Sequence, residues 1–301
     1  MKVLVIGGTG FIGKAIAYEA VKRGLSVDVL GIKTLSNSEM NPDIEYLQAD
    51  ITNPDELIQL KLKKYDYVIN AGGYINHSKF SQGGDKVLDQ HLLGVMNLVK
   101  ALDRSNLKKF VQIGSSDEYG NTLAPQSEES RESPISPYSL GKAASTHFLQ
   151  MLNVTEGLPT TTIRLFLCYG PGQDRARFLP YLISQCILNK DINISPGDQL
   201  RDYCFIGDIV DAIFLILKCE ETNGKVLNIA SGKPVSIKNV VEKVVNLVGG
   251  GKPNFGAVPY RSGENMELYA DISLAKKILN WKPKTTLDQG LKETVNFYKN
   301  G

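Results

Sequence analysis

The sequence predicts an α/β fold, in which a doubly wound parallel sheet is followed by a smaller C-terminal α/β lobe. Three observations support this prediction. An apolar run at residues 3–6 leads through a glycine-rich turn into a helical pattern of apolar residues. Strand-like and helix-like segments then alternate as far as residue 166, whereas prolines interrupt the alternation beyond residue 170. The 301 residues, of which 42% are hydrophobic, suffice to bury a core in both parts.

Each predicted element follows from the spacing of its apolar residues. Short apolar runs after the first helix predict strands at residues 26–30, 44–48, 66–70, 110–114 and 160–166. Helical periodicity covers residues 88–102 and 137–152, and Ser136 and Pro137 suit the N-cap and first turn of the second helix. Strands that alternate with helices imply parallel pairing through right-handed crossovers.

Two domains follow from this pattern. Residues 1–166 form the sheet domain and residues 167–301 the smaller lobe, while residues 206–230, with a helix at 208–217, are expected to pack back on the first domain. Ligands of doubly wound sheets bind beyond the carboxyl ends of the strands. The segments expected along that edge are 7–13, 71–73, 115–118 and 167–170.

The turn after the first strand carries the pattern G-x-G-x-x-G at Gly8, Gly10 and Gly13. One glycine of this pattern allows a positive φ, one lets phosphate oxygens approach the backbone, and one lets the helix pack closely on the strand. The N–H groups and dipole of the following helix then attract a pyrophosphate. We interpret the turn as a dinucleotide site; the alternative is a plain connection between a strand and a helix.

Tyr138 and Lys142 form a candidate catalytic pair in the pattern Y-x-x-x-K. Residues four apart share a helix face, with Cβ atoms about 6 Å apart. A tyrosine that acts as a base near neutral pH must lower its pKa by about three units, which costs about 4 kcal/mol. The lysine supplies about 1 kcal/mol in bulk water and about 3 to 4 kcal/mol at an effective dielectric near 20. Catalysis by this pair therefore requires a partly dehydrated cleft, and the alternative is a solvent-facing pair.

Ser116 follows the strand predicted at residues 110–114, at the edge where chemistry is expected. Its hydroxyl could bind a reacting oxygen and share a proton with Tyr138. The alternative is a turn without a catalytic role, because Ser, Asp and Gly all favour turns.

Composition narrows the class of protein. The net charge of +2 argues against nucleic acid as a partner, and no apolar run approaches the roughly 18 residues of a membrane span. Cys168, Cys186, Cys204 and Cys219 lack metal-ligand spacing, so we expect free thiols in a reducing cytoplasm and no metal site.

The chain resembles the extended short-chain dehydrogenase/reductase family, which contains nucleotide-sugar epimerases, dehydratases and ketoreductases. The motifs that carry the resemblance nearly from end to end are GGTGFIG, SSDEYG, YSLGK, RLFLCYGPGQ, RDYCFIGD, NIASG and LNWKPKTTLDQGL. The resemblance implies a Rossmann domain and a catalytic triad of Ser116, Tyr138 and Lys142. Tyr138 would move a proton at a sugar hydroxyl or ketone, usually at C4, while hydride passes between that carbon and the nicotinamide.

The same resemblance implies the binding residues. Those of NAD(P) would be Gly7, Gly10, Phe11, Ile12, Gly31, Lys33, Asp50, Ile51, Ala71 and Gly72, together with Tyr138 and Lys142. Those of the nucleotide-diphosphate sugar would be Ser116, Asp117, Glu118, Leu167, Arg201, Arg261 and Glu264. Arg201 matches a diphosphate contact, although a local ion pair with Asp202 is the alternative, and Arg261 with Glu264 matches the nucleotide end.

Some positions depart from the family pattern. Gly31 stands where an acidic residue often binds the adenosine ribose, and Lys33 could pair with a 2′-phosphate, which favours NADP slightly over NAD. Leu167 replaces a substrate-binding asparagine. His91 replaces a helix asparagine and is expected to be a buried structural residue.

The expected activity is that of a 4-dehydrogenase or 4-ketoreductase in activated-sugar or polysaccharide biosynthesis. A 4-epimerase is the close alternative, because it uses the same triad. Asp117 and Glu118 resemble the acid and base of 4,6-dehydratases, but a loop one residue shorter would turn at least one of them away. An NAD(P)-binding regulator is disfavoured by the intact triad. Family members commonly form homodimers through a four-helix bundle of the Y-x-x-x-K helix and the helix before it. The stripe of Ala144, Phe148 and Met151 is compatible with this, and the alternative is ordinary core packing.

Overall fold

The strands and helices described below are those of a computed structural model, which describes residues 1–36, 40–260 and 263–300. The strands are β1 (Lys2–Ile6), β2 (Ser26–Gly31), β3 (Ile44–Gln48), β4 (Tyr67–Asn70), β5 (Lys109–Ser115), β6 (Thr160–Leu165), β7 (Leu167–Tyr169), β8 (Asp191–Ile194), β9 (Leu200–Phe205), β10 (Val226–Ile229), β11 (Pro234–Ser236), β12 (Lys252–Phe255) and β13 (Glu267–Leu268). The α-helices are α1 (Phe11–Lys22), α2 (Pro54–Gln59), α3 (Gly84–Leu88), α4 (Gly94–Ala101), α5 (Pro137–Glu156), α6 (Phe178–Ile187), α7 (Ile206–Ile216), α8 (Ile237–Val248), α9 (Ser273–Leu279) and α10 (Leu287–Asn300).

One sheet contains seven strands in the order β3-β2-β1-β4-β5-β6-β10. Strand β1 pairs in parallel with β2, where Val5 lies opposite Val29, and with β4, where Val5 lies opposite Ile69. Parallel pairing continues outward to β3 on one side and through β5 to β6 on the other. The strand order reverses at β1 and β4, and open α/β sheets bind their ligands at this switch point. The predicted doubly wound fold is confirmed.

The central strands are buried along their whole length. Every residue of β4, β5 and β6 is buried, as expected for strands that are covered on both faces. Leu4, Val68 and Phe110 from this sheet share one apolar core with Leu98 of α4 and Leu149 of α5. The predicted bounds of these three strands agree with the observed ones to within one residue, although β6 contains three threonines and Arg164.

The chain divides into two compact units. The first contains Met1–Thr122, Glu128–Leu165 and Val210–Leu227, and the second contains Leu123–Ser127, Phe166–Ile209 and Asn228–Gly301. Most of α7 therefore belongs to the first unit, and this helix covers nearly the same residues as the one predicted at 208–217.

Helix α5 begins where the sequence predicts. Ser136 is its N-cap and accepts a hydrogen bond from Ser139 N, and Pro137 occupies the first turn. The helix continues beyond the predicted residue 152 to Glu156, where Gly157 ends it at φ +66°. Within the described ranges, no helix is both long and apolar enough to cross a membrane.

The helix predicted at residues 88–102 is longer and less regular. Gly83, at φ +95°, precedes α3, and a π-helical turn (Asp89–Leu93) joins α3 to α4. The π-helical turn contains the buried His91, and a Cβ on Gly141 of α5 would lie 3.0 Å from His91 Cβ. The π-helical turn thus lies where the chain packs closely against α5. The spacing of apolar residues in the sequence does not reveal this irregular turn.

The second unit has its own sheet and core. Strand β9 pairs with β11, β13 and β7, and β8 pairs separately with β12. Helices α6, α8 and α10 contribute Leu182, Val241 and Leu291 to an apolar core with Tyr203 of β9. This unit is an α/β lobe, as the sequence predicts.

Candidate active site

The turn between β1 and α1 requires glycine at particular positions. Gly7 has φ +71°, and a Cβ there would lie 2.7 Å from Gly72 Cα. A Cβ on Gly13 would lie 2.3 Å from Gly7 O, so this glycine permits the close packing expected of it. The positive φ, in contrast, belongs to Gly7, which precedes the predicted triplet of Gly8, Gly10 and Gly13.

The N-terminus of α1 is open to an anion. Gly10 is the N-cap, and no side chain of the described residues caps this end of the helix. Phe11 and Ile12, both predicted to bind the cofactor, are the first two helical residues, and the first turn contains no acidic side chain. Backbone N–H groups and the positive end of the helix dipole therefore fit a pyrophosphate.

A cavity of about 210 Å³ lies beside this turn. Six predicted cofactor residues line it: Gly7, Gly10, Gly31, Ile51, Ala71 and Gly72. The other lining residues, which sequence reasoning did not assign to the cofactor, are Ile6, Thr9, Leu30, Ile32, Ala49, Gly73, Tyr74 and Gln90. Most of these residues are next in sequence to a predicted cofactor residue at the end of a strand. Their position beside a strand end is the sequence signal that could have identified them. Apolar walls and exposed backbone at the switch point fit a dinucleotide.

Two further predicted cofactor residues lie outside the lining of this cavity. Lys33 is exposed in the segment that follows β2. Asp50 is half-buried after β3, and its carboxylate accepts hydrogen bonds from Thr52 N at 2.9 Å and Thr52 Oγ1 at 2.8 Å. Contacts of Lys33 with a 2′-phosphate and of Asp50 with the dinucleotide remain predictions.

Tyr138 and Lys142 lie together in a dehydrated part of the first unit. Their exposed fractions are 5% and 4%, and Lys142 Nζ is 6.0 Å from the centre of the Tyr138 ring. Lys142 Nζ also donates a hydrogen bond to Ile113 O of β5 at 2.7 Å. Burial lowers the pKa of Lys142 to about 8, although the negative charge of Glu118 opposes this shift. The solvent-facing alternative for this pair is therefore wrong.

His91 is a buried neighbour of Tyr138. Its ring meets the Tyr138 ring at a centroid distance of 5.0 Å and an angle of 85°, and its Nε2 donates to Tyr74 O at 3.0 Å. Burial, together with the charge of Lys142, lowers the pKa of His91 to about 3. The histidine is thus buried, as expected. Its lowered pKa keeps it neutral, so it shapes the environment of Tyr138 without adding charge.

Ser116 begins the short turn that follows β5. Ser115 caps this turn by accepting a hydrogen bond from Asp117 N at 3.1 Å, and Ser115 N donates to Glu118 Oε1 at 2.9 Å. The turn packs against α5, the helix that carries Tyr138 and Lys142. Ser116 itself is buried, and its contact with a substrate oxygen remains a prediction.

The observed arrangement gives Glu118 partners within the protein, and its expected contact with the substrate remains a prediction. Glu118 is fully buried, and its carboxylate forms an ion pair with Arg164 Nε at 3.0 Å and accepts a hydrogen bond from Thr146 Oγ1 at 3.0 Å. A buried carboxylate requires such partners. Asp117, its neighbour, is instead 31% exposed and lies near His77.

The remaining predicted substrate residues belong to the second unit. Leu167 in β7 is half-buried opposite Tyr203 of β9. Arg201 in β9 forms an ion pair with Glu264 and donates to Leu200 O at 2.7 Å, so its partner is Glu264 and not the expected alternative, Asp202. The carboxylate of Asp202 is instead held by Ser231 and the backbone around it. Arg261 lies outside the described residues.

These features define an α/β protein with a dinucleotide crevice and a buried Tyr–Lys pair in the same unit. The chain matches the NAD dependent epimerase/dehydratase family over residues 3–230. It belongs to this family and is therefore an enzyme of the short-chain dehydrogenase/reductase class.

Individual relatives span the whole chain. A putative UDP-glucose 4-epimerase of Methanocaldococcus jannaschii is 28% identical over 305 residues, which cover 99% of this chain and 98% of that protein. A dTDP-glucose 4,6-dehydratase of Xanthomonas campestris pv. campestris is 28% identical over 326 residues, covering 98% and 92%. The structure of a UDP-glucuronic acid 4-epimerase from Bacillus cereus, in complex with UDP-glucuronic acid and NAD, is similar with a TM-score of 0.85 and 27% identity over 100% of this chain and 99% of that one.

Proposed function

We propose that the protein oxidises or reduces C4 of a nucleotide-diphosphate sugar with NAD(P) as its redox partner. The observation that carries this proposal is the buried pair of Tyr138 and Lys142 in the unit that holds the dinucleotide crevice. Perturbed, dehydrated acid–base groups of this kind are typical of catalytic sites. Similarity to C4-acting sugar nucleotide enzymes over the whole chain supports the same conclusion.

The cofactor would be held by the glycine turn, the N-terminus of α1 and the residues that line the cavity. When bound, its nicotinamide supplies or accepts the hydride at C4. Tyr138 takes the proton from the C4 hydroxyl during oxidation and returns it during reduction. The ammonium of Lys142 stabilises the phenolate, and it is held by the hydrogen bond that it donates to Ile113 O. Ser116 would hold the C4 oxygen with its hydroxyl.

The net reaction depends on the fate of the 4-keto sugar. Release of this product would make the enzyme the 4-dehydrogenase or 4-ketoreductase that the sequence suggests. Reduction from the opposite face would make it a 4-epimerase, a second candidate favoured by the similarity to 4-epimerases at 27–28% identity. Elimination of water as in a 4,6-dehydratase would need a second accessible carboxylate, and the burial of Glu118 argues against it.

The nucleotide end of the substrate is proposed to bind the second unit. Arg201 and Glu264 form an ion pair there, and an arginine fork suits the oxygens of a diphosphate. Binding would then exchange the carboxylate partner of Arg201 for phosphate. The proposed role of Arg261 at the nucleotide rests on the family resemblance alone, as does that of Leu167 at the sugar.

Three further features remain proposals. The use of NADP is supported by Gly31 and Lys33, whereas the similar structure from Bacillus cereus contains NAD. A homodimer through α4 and α5 is supported by exposed apolar residues on α5. A cytoplasmic location is supported by four free cysteines.

Product analysis with a matched variant tests the proposed chemistry. The purified chain is incubated with UDP-glucose, UDP-glucuronic acid or dTDP-glucose and with NAD⁺ or NADP⁺, and both the sugar and the reduced coenzyme are measured. We expect Tyr138→Phe to lose activity by about 100- to 10,000-fold, the usual contribution of a general base. Cofactor binding should be retained, because the ring and its packing remain.

The product identifies the net reaction. A C4 epimer without net coenzyme reduction indicates an epimerase, and a 4-keto sugar formed with equimolar reduced coenzyme indicates a dehydrogenase. A 4-keto-6-deoxy sugar would indicate that the protein is a 4,6-dehydratase. Undiminished turnover by Tyr138→Phe would contradict the mechanism itself.

A further inference from the structure

The buried carboxylate of Glu118 joins three elements of the first unit. Its Oε1 accepts a hydrogen bond from Ser115 N at the end of β5, at 2.9 Å. Its Oε2 accepts hydrogen bonds from Thr146 Oγ1 of α5 and from Arg164 Nε of β6, both at 3.0 Å. A Cβ on Gly114 would clash with Oε1, so glycine at this position of β5 leaves room for the carboxylate. The turn after β5 is therefore tied to α5 through a buried side chain.

The same arrangement brings Glu118 towards Lys142. Residues four apart share a helix face, and Thr146 Oγ1 donates a hydrogen bond to Lys142 O at 3.1 Å. Lys142 Nζ donates to Ile113 O, while Glu118 accepts from Ser115 N, two residues further along the same strand. The ammonium and the carboxylate thus bind neighbouring parts of β5. Both side chains are buried, and opposite charges attract more strongly there than in water.

We propose that Glu118 is a positioning residue of the catalytic pair: its hydrogen bonds fix the turn after β5 against α5, and its negative charge keeps Lys142 protonated beside Tyr138. This inference rests on the proposed function for the reaction that the pair performs. The effect of Glu118 on Lys142 is a property of the folded chain, which neither substrate nor cofactor is needed to observe. In this role Glu118 acts through Lys142 and touches no reacting atom.

Titratable groups from several elements of the described chain surround Lys142. They are Glu118 from the turn after β5, Tyr138 from α5 and His91 from the π-helical turn, and Arg164 of β6 is paired with Glu118. Burial lowers the pKa of Lys142 to about 8, and the charge of Glu118 opposes this shift. Loss of that charge should therefore lower the pKa of Lys142 further. At neutral pH, more of Lys142 would then be the uncharged amine, which cannot stabilise a phenolate.

A second buried lysine provides an internal control. Lys109 is 1% exposed, and its Nζ donates hydrogen bonds to Cys219 O at 2.8 Å and to Thr222 Oγ1 at 3.0 Å. Burial lowers the pKa of Lys109 to about 8 as well. Lys109 and Ser115 are the two ends of β5, which are about 20 Å apart at the rise of a strand. The charge of Glu118 should therefore hardly affect Lys109.

An NMR titration of the two buried lysines tests the inference without substrate or cofactor. The protein is labelled with ¹³C at the lysine Cε, whose chemical shift follows protonation of the amine. Each signal is assigned by its loss in Lys142→Arg or Lys109→Arg. We expect the midpoint of Lys142 to fall by roughly one pH unit in Glu118→Gln, the lower end of the effect of a nearby charge. The midpoint of Lys109 should stay the same. An unchanged midpoint of Lys142, or an equal fall for both lysines, overturns the inference.

A second variant keeps the test valid if Glu118→Gln does not fold, because that variant deprives the buried Arg164 of one partner. Glu118→Gln combined with Arg164→Met removes both charges of the ion pair together, which proteins often tolerate. The midpoint of Lys142 should still fall, by a smaller amount, because a positive charge is lost together with the negative one. A midpoint equal to or above that of the wild type in this double variant also overturns the inference.

The pH dependence of kcat tests the catalytic part, with a sugar nucleotide and the coenzyme as substrates. In Glu118→Gln the alkaline decline of kcat should begin roughly one pH unit lower than in the wild type. Glu132→Gln removes the other acidic partner of Arg164 and is the matched control, in which the decline should keep its wild-type position. A lower kcat in Glu118→Gln without any move of the decline would indicate a structural role alone and overturn the inference. Absence of turnover in the wild type counts instead against the proposed function, and the NMR titration then decides the inference by itself.

Discussion

In the proposed mechanism, Tyr138 and Lys142 stabilise each other's charges in a place where each charge alone would be unfavourable. Both side chains are almost fully buried, and burial by itself favours a neutral phenol and a neutral amine. Lys142 Nζ is 6.0 Å from the centre of the Tyr138 ring. Opposite charges about 6 Å apart attract by about 3 kcal/mol at an effective dielectric near 20. This is most of the free energy needed for a phenolate near neutral pH. The remainder must come from the positive N-terminus of α5 and from the bound cofactor.

The activity should depend on pH through both members of this pair. Tyr138 must be deprotonated and Lys142 protonated, and the pKa of Lys142 is about 8. Activity should therefore decline above about pH 8 as the ammonium is lost. In Lys142→Arg the charge persists and this decline should move to higher pH. The pH dependence of kcat measures the shift.

Removal of the cation should have a different effect. In Lys142→Met the phenolate has lost its stabilising partner, so the rising limb of the pH profile should move to higher pH. The cofactor should also bind more weakly. A profile equal to that of the wild type in both Lys142 variants would refute the assigned role.

Neighbouring residues can have different roles when the fold separates them. Asp117 and Glu118 are adjacent and chemically similar, and both were expected at the substrate. Glu118 points into the unit, where it caps the turn and holds Arg164, while Asp117 lies near His77. An ion pair with a residue 46 positions away decides the difference.

At the scale of elements, the ends of β1, β2 and β4 build the cofactor crevice. Gly31 ends β2, and its carbonyl accepts a hydrogen bond from Ala49 N at 3.1 Å. A Cβ at Gly31 would meet Thr9 Oγ1 at 3.3 Å, a flexible group that can give way. The end of this strand therefore has room for a side chain, and glycine is not needed there for packing.

A carboxylate at the end of β2 should change the choice of coenzyme. In Gly31→Asp, it would accept hydrogen bonds from the adenosine ribose and repel a 2′-phosphate. We expect affinity for NADPH to fall about tenfold or more, which corresponds to about 1.4 kcal/mol, with NADH binding retained or improved. Lys33→Gln is the matched variant, because it should weaken the binding of NADPH and leave the binding of NADH unchanged.

Fluorescence titration with each reduced coenzyme measures the two affinities. A wild type that already prefers NADH strongly would show that the NADP preference inferred from Gly31 and Lys33 is wrong.

At the scale of the whole molecule, α5 also presents an apolar surface. Met151 is 45% exposed, and Ala144 and Phe148 are half-buried on the same helix. Paired with α4 against a second copy, this stripe would form the four-helix interface expected from the family resemblance. We predict a particle of twice the 33.1 kDa of one chain in sedimentation experiments.

Substitution on the stripe tests where the dimer forms. Met151→Lys should shift the particle towards a monomer, because a charge would be buried at the interface. Phe297→Lys replaces a similarly exposed residue of α10 and should leave the mass unchanged. A monomeric wild type, or an unaffected Met151→Lys, would contradict the proposed interface.

The sequence by itself determined the order of the elements, the doubly wound sheet, the glycine turn and the Tyr138–Lys142 pair. These features depend on spacing within a few residues, since apolar periodicity, glycine sterics and helix faces are local properties. Only the tertiary structure decided which side chains meet across long stretches of chain. It placed Glu118 against Arg164, His77 against Asp117 and Arg201 against Glu264. Such partners depend on how β-strands and loops distant in sequence are brought together, and no local pattern records that arrangement.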